Sequence, residues 1–115
     1  MKHPDEVGFT DELKAELTAI TREIQGLLPG AQVILFGSYA RGEPRKWSDL
    51  DICVVAEEYP MRILDMMRVI SSVIHDKTQL PIDLLLFHRE RFDYRATKKP
   101  TIEHVIVKEG VMLSA

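Results

Sequence analysis

The sequence predicts an α/β or α+β domain in which helices flank a small mixed β-sheet. Three observations lead there. Short runs rich in β-branched residues at 31–36, 50–56 and 81–87 read as buried strands, and residues 10–28 and 61–76 show helical apolar spacing. The elements follow one another as helix, strand, loop, strand, helix, strand, helix. The 115 residues match a single domain spanning 1–115, and 45% hydrophobic against 29% charged residues excludes a disordered chain. A chain of this length buries roughly two-thirds of its extended surface, enough for a core but not for a deep enclosed cavity, so a large substrate is expected on an open face.

In TDELKAELTAITREIQGLL, Leu13, Leu17, Ile20, Ile24 and Leu27 form the stripe of an amphipathic helix, with Thr10 as N-cap and Pro29-Gly30 as terminator. AQVILF is a strand stopped by Gly37, and LDICVVA is the next. Between them GSYARGEPRKWSD is a polar loop with at most one helical turn. In MRILDMMRVISSVIHD, Met61, Leu64, Met67, Ile70 and Ile74 lie on overlapping helical stripes, with Pro60 suited to the first helical position. PIDLLLF is the third strand. Residues 88–99 read as a polar, basic tail, and a last helix from Thr101 to Glu109 is expected on Ile102, Val105 and Ile106, with Gly110 as C-cap.

Fifteen basic against 18 acidic residues give a net charge of -3, which argues against direct nucleic-acid binding. Cys53 is the only cysteine, so no intrachain disulfide or thiolate metal cluster is available, and a reducing, cytoplasmic setting is expected. Residues 1–10 carry no apolar leader, and no run approaches the ~18 apolar residues of a membrane span.

Three acids interrupt otherwise apolar strands. Asp49 and Asp51 share one face at the start of the second, and Asp83 reaches the same face if the second and third strands are neighbours. Converging carboxylates in a partly dry site repel one another, and raised pKa values or bound cations relieve the repulsion. Hard oxygen donors without His or Cys favour magnesium or manganese over zinc. Structural roles stand beside this reading: Asp49 as a turn residue, Asp51 as a buried partner of Arg41, and Asp83 as a strand-edge residue facing water. After the first strand, Gly37 permits a tight turn that brings the backbone close to a phosphate, and Ser38 adds a hydroxyl. Arg41, with Arg45 and Lys46, places cations in the same loop, which suits a polyphosphate bridged by metal to the carboxylates.

Taken together, LFGSYARGEPRKWSDLDICVV holds a Gly-Ser pair, ten intervening residues and an Asp-x-Asp pair, and so resembles the nucleotidyltransferase fold related to DNA polymerase β. The ARG after GSY, the SDLDI ending, the acid in IDLLLF and the closing IVKEGVML resemble the minimal nucleotidyltransferase (MNT) domains over residues 31–113. That resemblance implies that Gly37 and Ser38 hold the β and γ phosphates of ATP and that Asp49 and Asp51 bind two Mg2+ ions, with Mn2+ as a substitute. Asp83 would complete the second metal site and help deprotonate the acceptor. It further implies a partner, a HEPN-domain ribonuclease toxin that is silenced when AMP is moved from ATP onto its tyrosine hydroxyl, since the added negative charge repels RNA phosphates. Two alternatives remain open here: transfer to a small-molecule hydroxyl such as that of an aminoglycoside, and a non-catalytic toxin-binding module. A polymerase or RNA-tailing enzyme would need a template or primer groove that length and charge do not offer.

Other residues receive structural roles. Trp47 is expected to pack over its loop, and Met61, Met66 and Met67 to join the core. The four histidines lack metal-ligand spacing, and only His88 could approach the carboxylates. Arg89, Arg91, Arg95, Lys98 and Lys99 read as a solvated face. An exposed apolar face on the second or last helix would suit a homo- or hetero-oligomer.

Overall fold

The computed structural model describes residues 1–114. Its centre is a four-stranded sheet in the order β3-β2-β1-β4, built from β1 (Gln32–Phe36), β2 (Leu50–Ala56), β3 (Ile82–His88) and β4 (Val111–Met112). β1 runs antiparallel to β2 and β4, while β2 and β3 are parallel. The helices are α1 (Asp11–Leu27), α2 (Gly37–Ala40), α3 (Ile63–Ile74), α4 (Arg89–Ala96) and α5 (Ile102–Glu109). The expected mixed sheet between helices is therefore present, with α3 supplying the crossover that parallel neighbours require.

Strand alternation divides the core in two. Val33 and Leu35 of β1, Ile52 and Val54 of β2 and Leu84 and Leu86 of β3 face α1 and α3, joining Leu17, Ile20, Ile24, Met66, Ile70 and Ile74. Ile34, Phe36, Cys53 and Val55 face the other way and pack with Phe92 of α4 and Ile106 of α5. Asp51 and Asp83 share the parity of this second face.

Capping explains α1 well. Thr10 Oγ1 accepts the Leu13 N–H at 3.1 Å, and Asp11 and Glu12 occupy the first turn, where the helix dipole favours negative charge. The stripe closes differently from the reading above, because Leu27 is exposed and Leu28, in the C-cap position, is buried in its place. α3 starts three residues after Pro60. The Tyr59 hydroxyl donates to the Phe87 carbonyl at 2.7 Å, fixing residue 59 across the strand ends and leaving residues 60–62 outside the helix. In consequence the inward stripe of α3 is Met66, Ile70 and Ile74, while Leu64 and Met61 face solvent.

The segment after β3 departs most from expectation, since residues 89–96 form α4 rather than a loose tail. Only Phe92 of α4 is buried, its ring 5.2 Å from that of Phe87, so the helix has one apolar anchor and too little periodicity to be read. Polar contacts supply the rest: Arg95 Nε donates to Glu103 Oε2 at 2.7 Å, and Arg89 Nη1 to Gln32 Oε1 at 3.1 Å. The Arg95–Glu103 bond also turns α5. Glu103 and Ile106 point inward, whereas Ile102 and Val105, expected as core, are exposed.

Gly110 follows α5 with an ordinary φ of -70°, so its need is for space, not a left-handed turn. A Cβ there would lie 2.4 Å from the Ile106 carbonyl oxygen and 2.8 Å from Ile34 Cγ2. Next, β4 pairs with β1, and its other edge is taken by Lys2, whose N–H donates to the Gly110 carbonyl and whose carbonyl accepts the Met112 N–H, both at 2.9 Å. No helix of the described residues is long and apolar enough to cross a membrane.

Candidate active site

β1 ends at Phe36, which is the cross-strand partner of Asp51; Asp51 in turn stands opposite Asp83 on β3. Three adjacent strands thus bring a turn, a half-buried carboxyl group and an exposed one to one end of the sheet. At the turn, Gly37 has φ +78°, a conformation that L side chains rarely adopt. It is excluded on space as well, because a Cβ would lie 1.9 Å from Asp51 Oδ2. The α2 backbone therefore runs directly against the Asp51 carboxyl, and Ser38 follows as the second residue of α2.

Asp51 has its pKa pushed up to about 6. Burial is the main cause, followed by the negative charges of Asp83 and Asp49, with a hydrogen bond to Asp83 adding to the rise and Arg41 opposing it. Asp49 lies exposed in the segment leading into β2, with Leu50 between it and Asp51. Arg41 follows α2, and its Nη1 lies 3.0 Å from Glu109 Oε1 at the end of α5. Glu109 belongs to the closing IVKEGVML segment, but a single sequence gives no signal that it pairs with Arg41.

Asp49, Asp51 and Asp83 offer only hard oxygen donors, the chemistry suited to Mg2+ or Mn2+. Their crowding fits a cation, since Asp51, its pKa raised by burial and then by the charges of Asp83 and Asp49, gains from any positive charge brought between them. Among the described residues, however, no three His, Cys, Asp or Glu side chains stand in a ready-made metal-holding arrangement.

Several sequence expectations change here. Trp47 does not pack over its loop: it is 84% exposed, because residues 41–47 lie outside the sheet layers and offer no apolar surface to cover it. His88 is the last residue of β3, at the opposite end of the strand from Asp83, and meets the edge of the Tyr59 ring instead. Cys53 is fully buried and its thiol is pushed up to about 12, chiefly by burial, so it is inert. A groove of about 580 Å³ lies behind α2, lined by residues that include Phe9, Tyr39 and Leu80, and none of the three aspartates lines it.

The model of the nucleotidyltransferase domain matches residues 16–112, which hold the turn and all three aspartates. The chain belongs to the nucleotidyltransferase family. Within it, this enzyme is 30% identical over 99 residues to the MntA protein of Haemophilus influenzae, named a probable protein adenylyltransferase, covering 85% of this chain and 84% of that one. It is also 30% identical over 78 residues to the protein adenylyltransferase MntA of Thermococcus cleftensis, covering 66% and 75%. A Methanocaldococcus jannaschii protein with a similar name matches over 42 residues at 43% identity, and the chain spans only 29% of its length there. Among solved structures, a minimal nucleotidyltransferase superposes with a TM-score of 0.60 at 26% identity, covering 90% of this chain and 96% of that one. A toxin-antitoxin complex with AMP-PNP superposes at 0.56 and 22% identity, covering 92% and 74%, a likeness of fold.

Proposed function

We propose that this nucleotidyltransferase moves AMP from Mg2+-bound ATP to a hydroxyl of a partner protein, a tyrosine of a HEPN-domain ribonuclease toxin, and thereby acts as its antitoxin in the cytoplasm. The observation that carries the chemistry is the register that sets Asp51 against both Gly37 and Asp83. The relatives named protein adenylyltransferases support a protein acceptor. A complex with a partner also suits the apolar side chains that α3 and α5 leave exposed, Leu64, Ile102 and Val105.

In this reading, the Gly37 turn and the Ser38 hydroxyl hold the triphosphate tail, and Arg41 adds a cation beside it. Asp49, Asp51 and Asp83 hold the cations, with Mn2+ able to replace Mg2+. Two divalent ions bound there would lower the cost of ionising the acceptor hydroxyl and of releasing pyrophosphate. The acceptor oxygen forms a bond to the α phosphorus, the α–β bridging bond breaks, and the hydroxyl proton passes to the Asp83 carboxylate and then to water.

Intact-mass spectrometry with ATP and Mg2+, with and without a HEPN-domain toxin as acceptor, tests this. A partner mass increased by whole adenylyl groups is the expected result. A stable complex without a mass change would instead favour a binding module, and the absence of both a mass change and a complex would direct attention to small-molecule hydroxyls.

A further inference from the structure

Trp47 is the only tryptophan of the chain, and it is 84% exposed on the loop that leads to Asp49. The backbone of its loop is held by hydrogen bonds. The Arg45 N–H donates to Ser48 Oγ at 2.8 Å and the Ser48 N–H donates to the Arg45 carbonyl at 3.0 Å, closing a turn around Lys46 and Trp47. At the other end of the loop, the Glu43 N–H donates to the Ser38 carbonyl at 2.9 Å, and Gly42 takes a φ of +73°. The loop is thus fastened to the Gly37–Ala40 turn on one side and to the residue before Asp49 on the other.

Two exposed cations, Arg45 and Lys46, stand beside the ring in a chain of net charge -3, with Lys46 Nζ 5.2 Å from the ring centroid. An aromatic side chain flanked by basic ones on a pinned loop matches the make-up of interface hot spots. Because the loop is already ordered, docking to it loses little conformational freedom. Small-molecule pockets are concave, and no such walls surround this ring.

We propose that the Trp47 loop is the docking element for the protein acceptor, with Trp47 entering a shallow apolar recess and Arg45 and Lys46 facing acidic side chains around it. This deepens the protein-adenylyltransferase reading and rests on it.

One fluorotryptophan label gives one fluorine resonance, which reports Trp47 alone. The resonance shifts or broadens when a HEPN-domain acceptor is added and stays in place with Mg2+ and AMP-PNP alone. In steady-state transfer, Trp47→Ala raises the KM for the acceptor at least about tenfold, as loss of an anchor residue does. Its kcat and its KM for ATP stay within about twofold of wild type, and Trp47→Phe recovers part of the loss. A wild-type enzyme that transfers normally, with a silent resonance and an unchanged acceptor KM in Trp47→Ala, overturns the docking surface alone. A raised KM for ATP with an unchanged acceptor KM overturns it too, by assigning the ring to the nucleotide. A perturbed resonance without transfer keeps the surface and overturns the transfer reading, and a silent resonance without transfer overturns both.

Discussion

Asp51 and Asp83 stand directly opposite each other on the parallel strands β2 and β3, two carboxyl groups facing one site. Burial, and after it the charge of Asp83, push the pKa of Asp51 up to about 6, so Asp51 carries a proton in mildly acidic solution. The pair is at rest when it holds a proton and under electrostatic tension when it does not.

That tension has a sign in stability. The folded pKa of Asp51 lies above its ordinary value of 3.8, so between pH 4 and 6 the native state holds more protons than the unfolded chain. With divalent cations chelated, the stabilising contribution of this group is complete below about pH 4 and is lost as pH rises through about 6. Urea unfolding across this range should show the decline, and Asp51→Asn should flatten it. A wild-type profile identical to that of Asp51→Asn would remove Asp51 as the source. The double variant Asp49→Asn, Asp51→Asn is expected to fold, to be at least as stable as wild type at neutral pH without metal, and to transfer nothing.

Gly37→Ala meets two obstacles, the positive φ and the Asp51 carboxyl in the space of its Cβ. Strain and overpacking together should destabilise the protein by at least about 2 kcal/mol. Transfer should fall beyond what the loss of folded protein explains, because relief of the clash displaces either the turn or the aspartate. Thermal unfolding and initial rates measured on the same samples check both parts.

Ser38→Ala should weaken binding of a non-hydrolysable ATP analogue by about 1 to 3 kcal/mol, the range for a hydroxyl donating to a charged oxygen. Calorimetric titration decides it, and an unchanged affinity would take Ser38 out of the site.

Arg41 and Glu109 form a partly exposed ion pair at 3.0 Å, with side chains 45% and 25% accessible. Their coupling in a double-mutant cycle of unfolding should therefore stay below about 1 kcal/mol. Glu109→Gln frees Arg41 from its partner and should lower the KM for ATP if the guanidinium serves the triphosphate. A KM unchanged in both Arg41→Gln and Glu109→Gln would leave the pair a structural tie between α2 and α5.

The carboxylates and the turn were legible because each breaks a local rule: an acid inside an apolar strand, or a glycine where a strand stops. α4 was not, since it rests on Phe92 and on ion pairs such as Arg95 with Glu103, which leave no period in the sequence. The same pair hid the orientation of α5, where a buried glutamate displaces Ile102 and Val105 to the surface. β4 is two residues long and exists through its partners Ile34 and Leu35, a relation that no local pattern encodes. Trp47 contradicts the rule that large aromatics seek cover, and no signal short of the fold reveals that its loop has nothing to cover it.

Because Phe36 and Asp51 are locked as cross-strand neighbours, the spacing between the glycine turn and the aspartates is set by the sheet and not by the chain that joins them. Exchange of residues 44–47, which take no part in that register, should therefore leave the reacting geometry in place. Under the docking proposal, chimaeras that swap residues 44–47 between relatives are expected to change the KM for the acceptor while the Phe36–Asp51 pairing stays in place.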